Sequence, residues 1–287
     1  MPSGGVKVVL PIISCEQEWF IFFILPNAGI VWGPCYNNQM QNTLVKLLGW
    51  RGTVFRGDTL VFDRWKWLTQ KIARGPVRTL DAGCGSGCFS FYAASQGNHV
   101  VGLDMQGPKL ESAKVRGRAL EFPHLEFRAQ DLRELDQLIP ELGQFDQVLS
   151  FEVIEHVMND EKLIRDMASL LKTGGRLILT TPYKKHNPLI GDKLSDHEDG
   201  GHVRWGYTFE ELDALFRPHG LRLIEQDYIT GYFSRTVTNV MRVASRVNRY
   251  VAWGVTFPLR ALQSIDEPFT KMVNYPFCGI GVVAEKI

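Results

Sequence analysis

The stretch Val77-Arg-Thr-Leu-Asp81-Ala-Gly83-Cys-Gly85-Ser-Gly87-Cys-Phe89 decides how the chain is read. An apolar run ends in an acid, glycines then alternate with small residues, and a helical pattern follows at once. That is a strand, a tight turn and a helix N-terminus. Glycine lets backbone approach a ligand closely, and the first turn of a helix offers N–H groups without intrahelical partners. A dinucleotide fingerprint needs G-x-G-x-x-G, but Cys88 stands at the last glycine position, which weakens an NAD or FAD reading. No Gly-Lys-Ser/Thr follows the turn, which argues against a triphosphate loop.

Working outward, short β-branched runs alternate with helical patterns from Val77 onward, the reading expected of βαβ units around a parallel sheet covered on both faces. Strands are expected at 77–81, 99–104, 125–130, 145–150, 176–181, 221–228 and 279–285, with helices near 88–97, 108–120, 160–171 and 208–217. Thr208 with Glu211 has capping-box spacing, and Leu212, Leu215 and Phe216 supply an apolar face. Pro258, Pro268 and Pro276 punctuate a long stretch before the last strand, which reads as a separate helical insertion. The 287 residues are 45% hydrophobic and 22% charged, an ordinary globular composition, and 32 Lys+Arg against 31 Asp+Glu leave +1. No global charge argues for nucleic acid. Cys15, Cys35, Cys84, Cys88 and Cys278 form an odd, scattered set, which fits a reducing, cytoplasmic compartment and neither a disulfide framework nor structural zinc.

The glycine loop, with its acid and alternating glycines, resembles the first motif of the class I S-adenosylmethionine-dependent methyltransferases. Val100-Val-Gly-Leu-Asp104 looks like that family's second strand, and Phe127-Arg-Ala-Gln-Asp131 like its third. Phe145-Asp-Gln-Val-Leu-Ser-Phe-Glu-Val-Ile-Glu155-His156-Val resembles the fourth motif, and Leu171-Lys-Thr-Gly174-Gly175-Arg-Leu-Ile-Leu the turn into strand five. The likeness runs in family order over about residues 77–181. It implies a Rossmann-like, doubly wound seven-stranded sheet with helices on both faces and S-adenosyl-L-methionine as cofactor. It further implies cofactor contacts from Asp81, Gly83, Cys84, Gly85 and Gly87, from Asp104 with Met105 at the ribose, from Asp131 with Leu132 at the adenine, and from Phe151 and Glu152. A carboxylate suits paired ribose hydroxyls because it accepts two hydrogen bonds. The bland reading of either aspartate is a cap on a strand end or helix. Cys84 and Cys88 read as turn and helix-packing residues.

Glu152, Glu155 and His156 fall outside the carboxyl end of the fourth strand, where open α/β folds bind ligands. His156 is a candidate general base, against the alternative that it and Glu155 only cap the following helix. A missing base would not exclude methyl transfer, because the sulfonium is already activated and positioning supplies much of the acceleration. In His197-Glu-Asp-Gly-Gly-His202-Val-Arg204-Trp-Gly-Tyr207, His202 is the second candidate base, and Arg204 and Tyr207 are candidates for acceptor recognition. The alternative is a structured turn with an Arg–carboxylate pair. No metal is expected, since His197, Glu198, Asp199 and His202 match no specific metal spacing.

Between Ser234 and Ile265 stand Arg235, Arg242, Arg246, Arg249 and Arg260 without an acid, +5 by direct count. Val237, Val240, Met241, Ala244, Val247 and Val251 recur at helical spacing, so a single basic amphipathic helix is expected, either a lid over the fold or a peripheral membrane contact. Gly57–Leu68 has a helix-with-aromatics pattern that would close the cofactor side. The apolar run Trp19–Leu25 is too short to span a bilayer and lacks signal-peptide features. Residues 1–39 read as an extension, packed or interfacial, or as sequence upstream of the working protein, since Met40, Leu44, Leu47 and Leu48 begin a helical pattern. Residues 40–287 read as one domain, with a cofactor core at about 70–181 and the insertion at about 231–276. The expected activity is methyl transfer to a small-molecule acceptor, on oxygen of a glycosylated, lipid-like or aromatic metabolite. Nucleic-acid or protein methylation and a non-catalytic cofactor-binding subunit are the alternatives. Ser150-Phe-Glu-Val replaces the Asn/Asp-Pro-Pro-aromatic tetrapeptide of amino-directed nucleic-acid enzymes. Oligomeric state is not readable from the sequence.

Overall fold

The computed structural model describes residues 11–12, 20–25, 29–34, 45, 48–56 and 59–287, and the chain divides into units 1–44 and 45–287. In the first unit β1 (Pro11–Ile12), β2 (Phe20–Leu25) and β3 (Gly29–Pro34) form an antiparallel sheet in that order. The apolar run of the extension is thus its middle strand, with Leu25 opposite Gly29. The helical pattern opening at Met40 falls mostly outside the described residues.

The second unit begins with α1 (Arg51–Arg56) and α2 (Thr59–Lys71), then alternates β4 (Arg78–Ala82), α3 (Cys88–Ser95), β5 (His99–Asp104), α4 (Pro108–Leu120) and β6 (Leu125–Ala129). There follow β7 (Phe145–Phe151), α5 (Asp160–Ser169), β8 (Leu171–Pro182), α6 (Phe209–Phe216) and β9 (Leu221–Ile229). The insertion carries α7 (Tyr232–Ser245), α8 (Arg249–Leu259) and α9 (Asp266–Met272) before the last strand, β10 (Gly279–Lys286). The sheet runs β6-β5-β4-β7-β8-β10-β9, with β10 antiparallel to both neighbours. The seven expected strands are all present, within a residue or two at most ends.

Period-two alternation sorts the core. Val148, Leu177 and Leu179 face Leu163, Ile164, Met167, Leu212 and Phe216 of α5 and α6. Leu149 and Ile178, one residue out of step, join Trp67, Leu68, Tyr92 and Ala93 of α2 and α3 on the other face. Thr208 caps α6 in the expected capping box with Glu211.

Two boundaries differ from the sequence reading. The helix expected to 171 stops at Ser169 because Leu171 already pairs with Phe145; residues 172–175 then bulge before Arg176 meets Gln147. The single basic helix expected across 237–251 is two helices. Asn248 accepts the Val251 N–H at 3.2 Å, a side-chain cap that starts α8 afresh after α7 has ended. Polar contacts join α9 to the start of α7 and α7 to α2. Asp266 accepts the N–H groups of Gly231, Phe233 and Ser234 at the open end of α7, and Thr59 of α2 donates to Ser234 O at 2.7 Å.

Candidate active site

β4 delivers its acid into the interior. Asp81 is 1% exposed and accepts from Ser90 Oγ of α3 at 2.5 Å, so it ties the helix to the strand beneath the loop. Burial, reinforced by the Asp104 charge, pushes its carboxyl up to about 7. The turn above is fixed to β5, since Gly83 and Cys84 donate to Leu103 O at 2.8 and 2.9 Å. Gly83 and Gly85 adopt φ of 86° and 54°, the left-handed region that favours glycine, but their surroundings differ. A Cβ on Gly83 would lie 2.3 Å from Val153 Cγ2, whereas one on Gly85 would meet nothing within 4 Å. Gly83 is packed from behind and Gly85 faces open space. Gly87 opens α3 with no side-chain cap, leaving the helix N-terminus to a ligand. Cys84 is buried, with its thiol pushed up by that burial, and burial likewise pushes Cys88 up to about 12. Neither thiol is disposed to ionise.

Asp104 ends β5 and accepts the Gly85 N–H at 2.6 Å, placing a carboxylate against the open glycine, with Met105 exposed beside it. Asp131 stands two residues past β6 and makes the capping contact considered for it. It accepts from Arg133 N at 3.0 Å to cap the short 3-10 helix Leu132–Leu138, and it pairs with the Arg133 guanidinium, which holds its pKa down. Leu132 is buried in the core, and Phe151 packs edge-on against Phe89 with ring centroids 4.4 Å apart.

The exit of β7 is strained. Glu152 has φ 55°, unusual for a side chain, and is held there by Arg64 of α2 at 2.6 Å and by Thr180 at 3.1 Å. Val153 backs Gly83, and the chain then turns through Glu155 and His156. Glu155 is fully buried, with Oε1 unpartnered, and burial together with Glu152 raises its pKa well above the usual range. His156 Nδ1 lies 2.9 Å from Gly201 O, and its ring meets that of His202 edge-on at 4.8 Å. A ring nitrogen facing a carbonyl carries a proton, which in the neutral tautomer leaves the lone pair on Nε2, 4.0 Å from Glu155 Oε1. Burial, then the neighbouring His156, lowers the His202 pKa and keeps that ring neutral near pH 7. The two candidate bases, separated by 46 positions, are therefore neighbours. Glu155, His156 and His202 are also the residues that could hold a cation, with ligand atoms within 4.8 Å of one another. The set His197, Glu198, Asp199 and His202 is not what assembles. Glu198 accepts from Met158 N at 2.5 Å and pairs with Arg133 at 3.0 Å.

Arg204 and Tyr207 line an open cavity beside Asp160 and Trp205, and their polar groups are also partnered within the protein. Both bond to Asp160 at the start of α5, Tyr207 at 2.6 Å, and Arg204 also donates to Met158 O at 2.9 Å. Burial and the Asp160 bond raise the Tyr207 pKa. These contacts clamp the loop that carries His202. Sequence reading did not assign Arg64, because nothing local reveals a partner 88 positions away.

Residues 75–216 match the family described as "Methyltransferase domain". Residues 75–216 are a class I S-adenosylmethionine-dependent methyltransferase domain. The chain is 34% identical over 118 residues to a ubiquinone biosynthesis O-methyltransferase of Marinobacter nauticus, covering 41% of this chain and 49% of that protein. It is 36% identical over 119 residues to the protein of the same name from Dechloromonas aromatica, covering 41% and 50%. The chain thus spans about half the length of the curated relatives it matches. A phosphoethanolamine N-methyltransferase 2 of Haemonchus contortus, solved with S-adenosylhomocysteine, superposes with a TM-score of 0.57 at 15% identity over 96% of this chain and 71% of that one. That likeness concerns the fold. S-adenosylmethionine is the cofactor of the methyltransferase domain, and the residues fit it: open space over Gly85, an uncapped helix start at Gly87 and the Asp104 carboxylate between them.

Proposed function

We propose that this chain transfers the methyl group of S-adenosylmethionine to an oxygen of a small lipid-like or aromatic metabolite. The observation that carries the reading is the pairing of His156 with His202 directly after β7, where Val153 also backs the cofactor loop. The bound cofactor supplies an electrophilic methyl group. Asp104 and the Gly85 turn hold its ribose side, while Asp81 keeps α3 and the loop in register from below. His156, with Nδ1 committed to Gly201 O, presents Nε2 to take a proton from an acceptor hydroxyl, and His202 stays neutral beside it. The names of the two relatives support oxygen as the atom methylated. The near-zero net charge argues against nucleic acid.

The test is incubation of the purified chain with methyl-labelled cofactor and a panel of phenols, lipid-linked quinols, glycosides, amines and RNA. Label in a phenolic or lipid-like hydroxyl is the expected result. Label confined to amines or RNA would overturn the reading.

A further inference from the structure

The insertion leaves apolar side chains in water on an unusual scale. More than half of the large apolar residues exposed among the described residues lie between 240 and 273. The extreme case is α8, whose stretch Val251-Ala-Trp-Gly-Val-Thr-Phe-Pro-Leu259 contains no charged residue. Only the narrow stripe of Ala252 and Thr256 is buried against the protein. Val251, Trp253, Val255 and Phe257 are each about half exposed, at 56%, 42%, 51% and 48%, and the rings of Trp253 and Phe257 lie together at 4.8 Å. Val247, 82% exposed at the junction of α7 and α8, extends the patch, and Val243 and Val240 continue it one and two turns back along α7. An apolar patch of this kind on a folded domain marks a surface that something covers.

Charge selects what covers it. Arg246 is exposed at the same junction, and Arg249 opens α8 in the sequence. Arg235 and Arg242 of the same segment are spent on the neighbouring loop, on Asn187 O and Pro188 O and on Asp192. No acid stands between Ser234 and Ile265. A second copy meeting this face across a two-fold axis would set arginine against arginine with no carboxylate of the segment to pair them. An anionic lipid surface supplies both partners at once, acyl chains for Trp253 and Phe257 and phosphates for the arginines of the α7–α8 junction. At 1.5 Å per residue, the 11 residues of α8 are about half the length needed to cross the hydrocarbon core, and no helix among the described residues is long and apolar enough to do so. The helix therefore lies along the interface, with Trp253 at the depth that indole rings favour.

We propose that α8, with the α7–α8 junction, is a docking surface for anionic lipid bilayer. The acceptor assignment is independent of it. The full chain is floated with vesicles of phosphatidylcholine alone or mixed with phosphatidylglycerol, at low and high salt, beside sedimentation velocity without lipid. Binding to the anionic vesicles, weakened by salt, is expected. It should fall about fivefold for each arginine in the pair Arg246→Gln and Arg249→Gln. It should be lost in the double variant Trp253→Asp and Phe257→Asp, with melting temperature and S-adenosylhomocysteine affinity unchanged because both side chains are exposed. Absence of binding to anionic vesicles, equal binding to neutral ones, or a dimer that the aspartate variant dissolves would overturn the proposal.

Discussion

The backbone N–H of Gly85 points into the Asp104 carboxylate at 2.6 Å, so the turn after β4 and the end of β5 act as one structure. The bond fixes the carboxylate beside the open face of the turn and leaves it lone pairs enough to accept from two hydroxyls. Replacing Asp104 with Ala removes both the ribose acceptor and the partner of the Gly85 N–H. Calorimetry with S-adenosylhomocysteine should show a loss of about 1.5–3 kcal/mol, the range for a hydrogen bond to a charged group. Unchanged affinity, or a preference for NAD, would contradict the assignment of the loop.

The two glycines of the turn should fail differently. The Cβ of Gly85→Val meets no heavy atom within 4 Å, so the chain should stay folded at a strain of about 1–2 kcal/mol while the side chain enters the space expected of the ligand. Gly83→Ala collides with Val153, so its main effect should be a lower melting temperature. Circular dichroism melts beside a binding assay separate the two. Full cofactor affinity in Gly85→Val would show that the ligand lies elsewhere.

If His156 or His202 takes the acceptor proton, its replacement by Ala should lower kcat by roughly 10²–10⁴. Because burial lowers the His202 pKa, the acid-side loss of kcat/KM, if His202 is the base, should come at a lower pH than for an ordinary histidine. A loss below severalfold in both variants leaves positioning as the source of the rate. Activity that vanishes with a chelator and returns with a divalent cation would make the pair ligands instead.

Asp81 and Asp63 are both pushed up to about 7, chiefly by burial. The folded chain therefore holds more protons than the unfolded chain between the ordinary carboxylate range and 7. Their contribution to stability is complete below pH 4 and is lost as pH rises through 7, with a slope of at most about 1.4 kcal/mol per pH unit for each group. Melts of Asp81→Asn and Asp63→Asn from pH 5 to pH 8 should each show a flatter profile than the parent. A parent slope that neither substitution changes would assign the pH dependence to other groups.

The β-branched runs were legible because a strand buried on both faces must be apolar along its length, and the turn was legible because glycines there have few substitutes. Asp104 follows from the same logic, since a carboxylate at the end of the neighbouring strand has to fall beside the loop. Local sequence therefore determined the sheet, the cradle and the cofactor class. Tertiary structure decided which polar residues are free to act. Asp131 caps the turn at Leu132 and pairs with Arg133, a partnership that no spacing in the sequence reveals. Arg204 and Tyr207 carry the side chains of a recognition site, yet Asp160, more than 40 positions earlier, takes both. His156 and His202 meet because the loop after β8 folds back over the exit of β7, an approach fixed by the Gly201 carbonyl and the Asp160 clamp together. Periodicity reports which face of an element is buried, but a hydrogen bond between distant side chains depends on how elements cross, and no spacing along the chain encodes that.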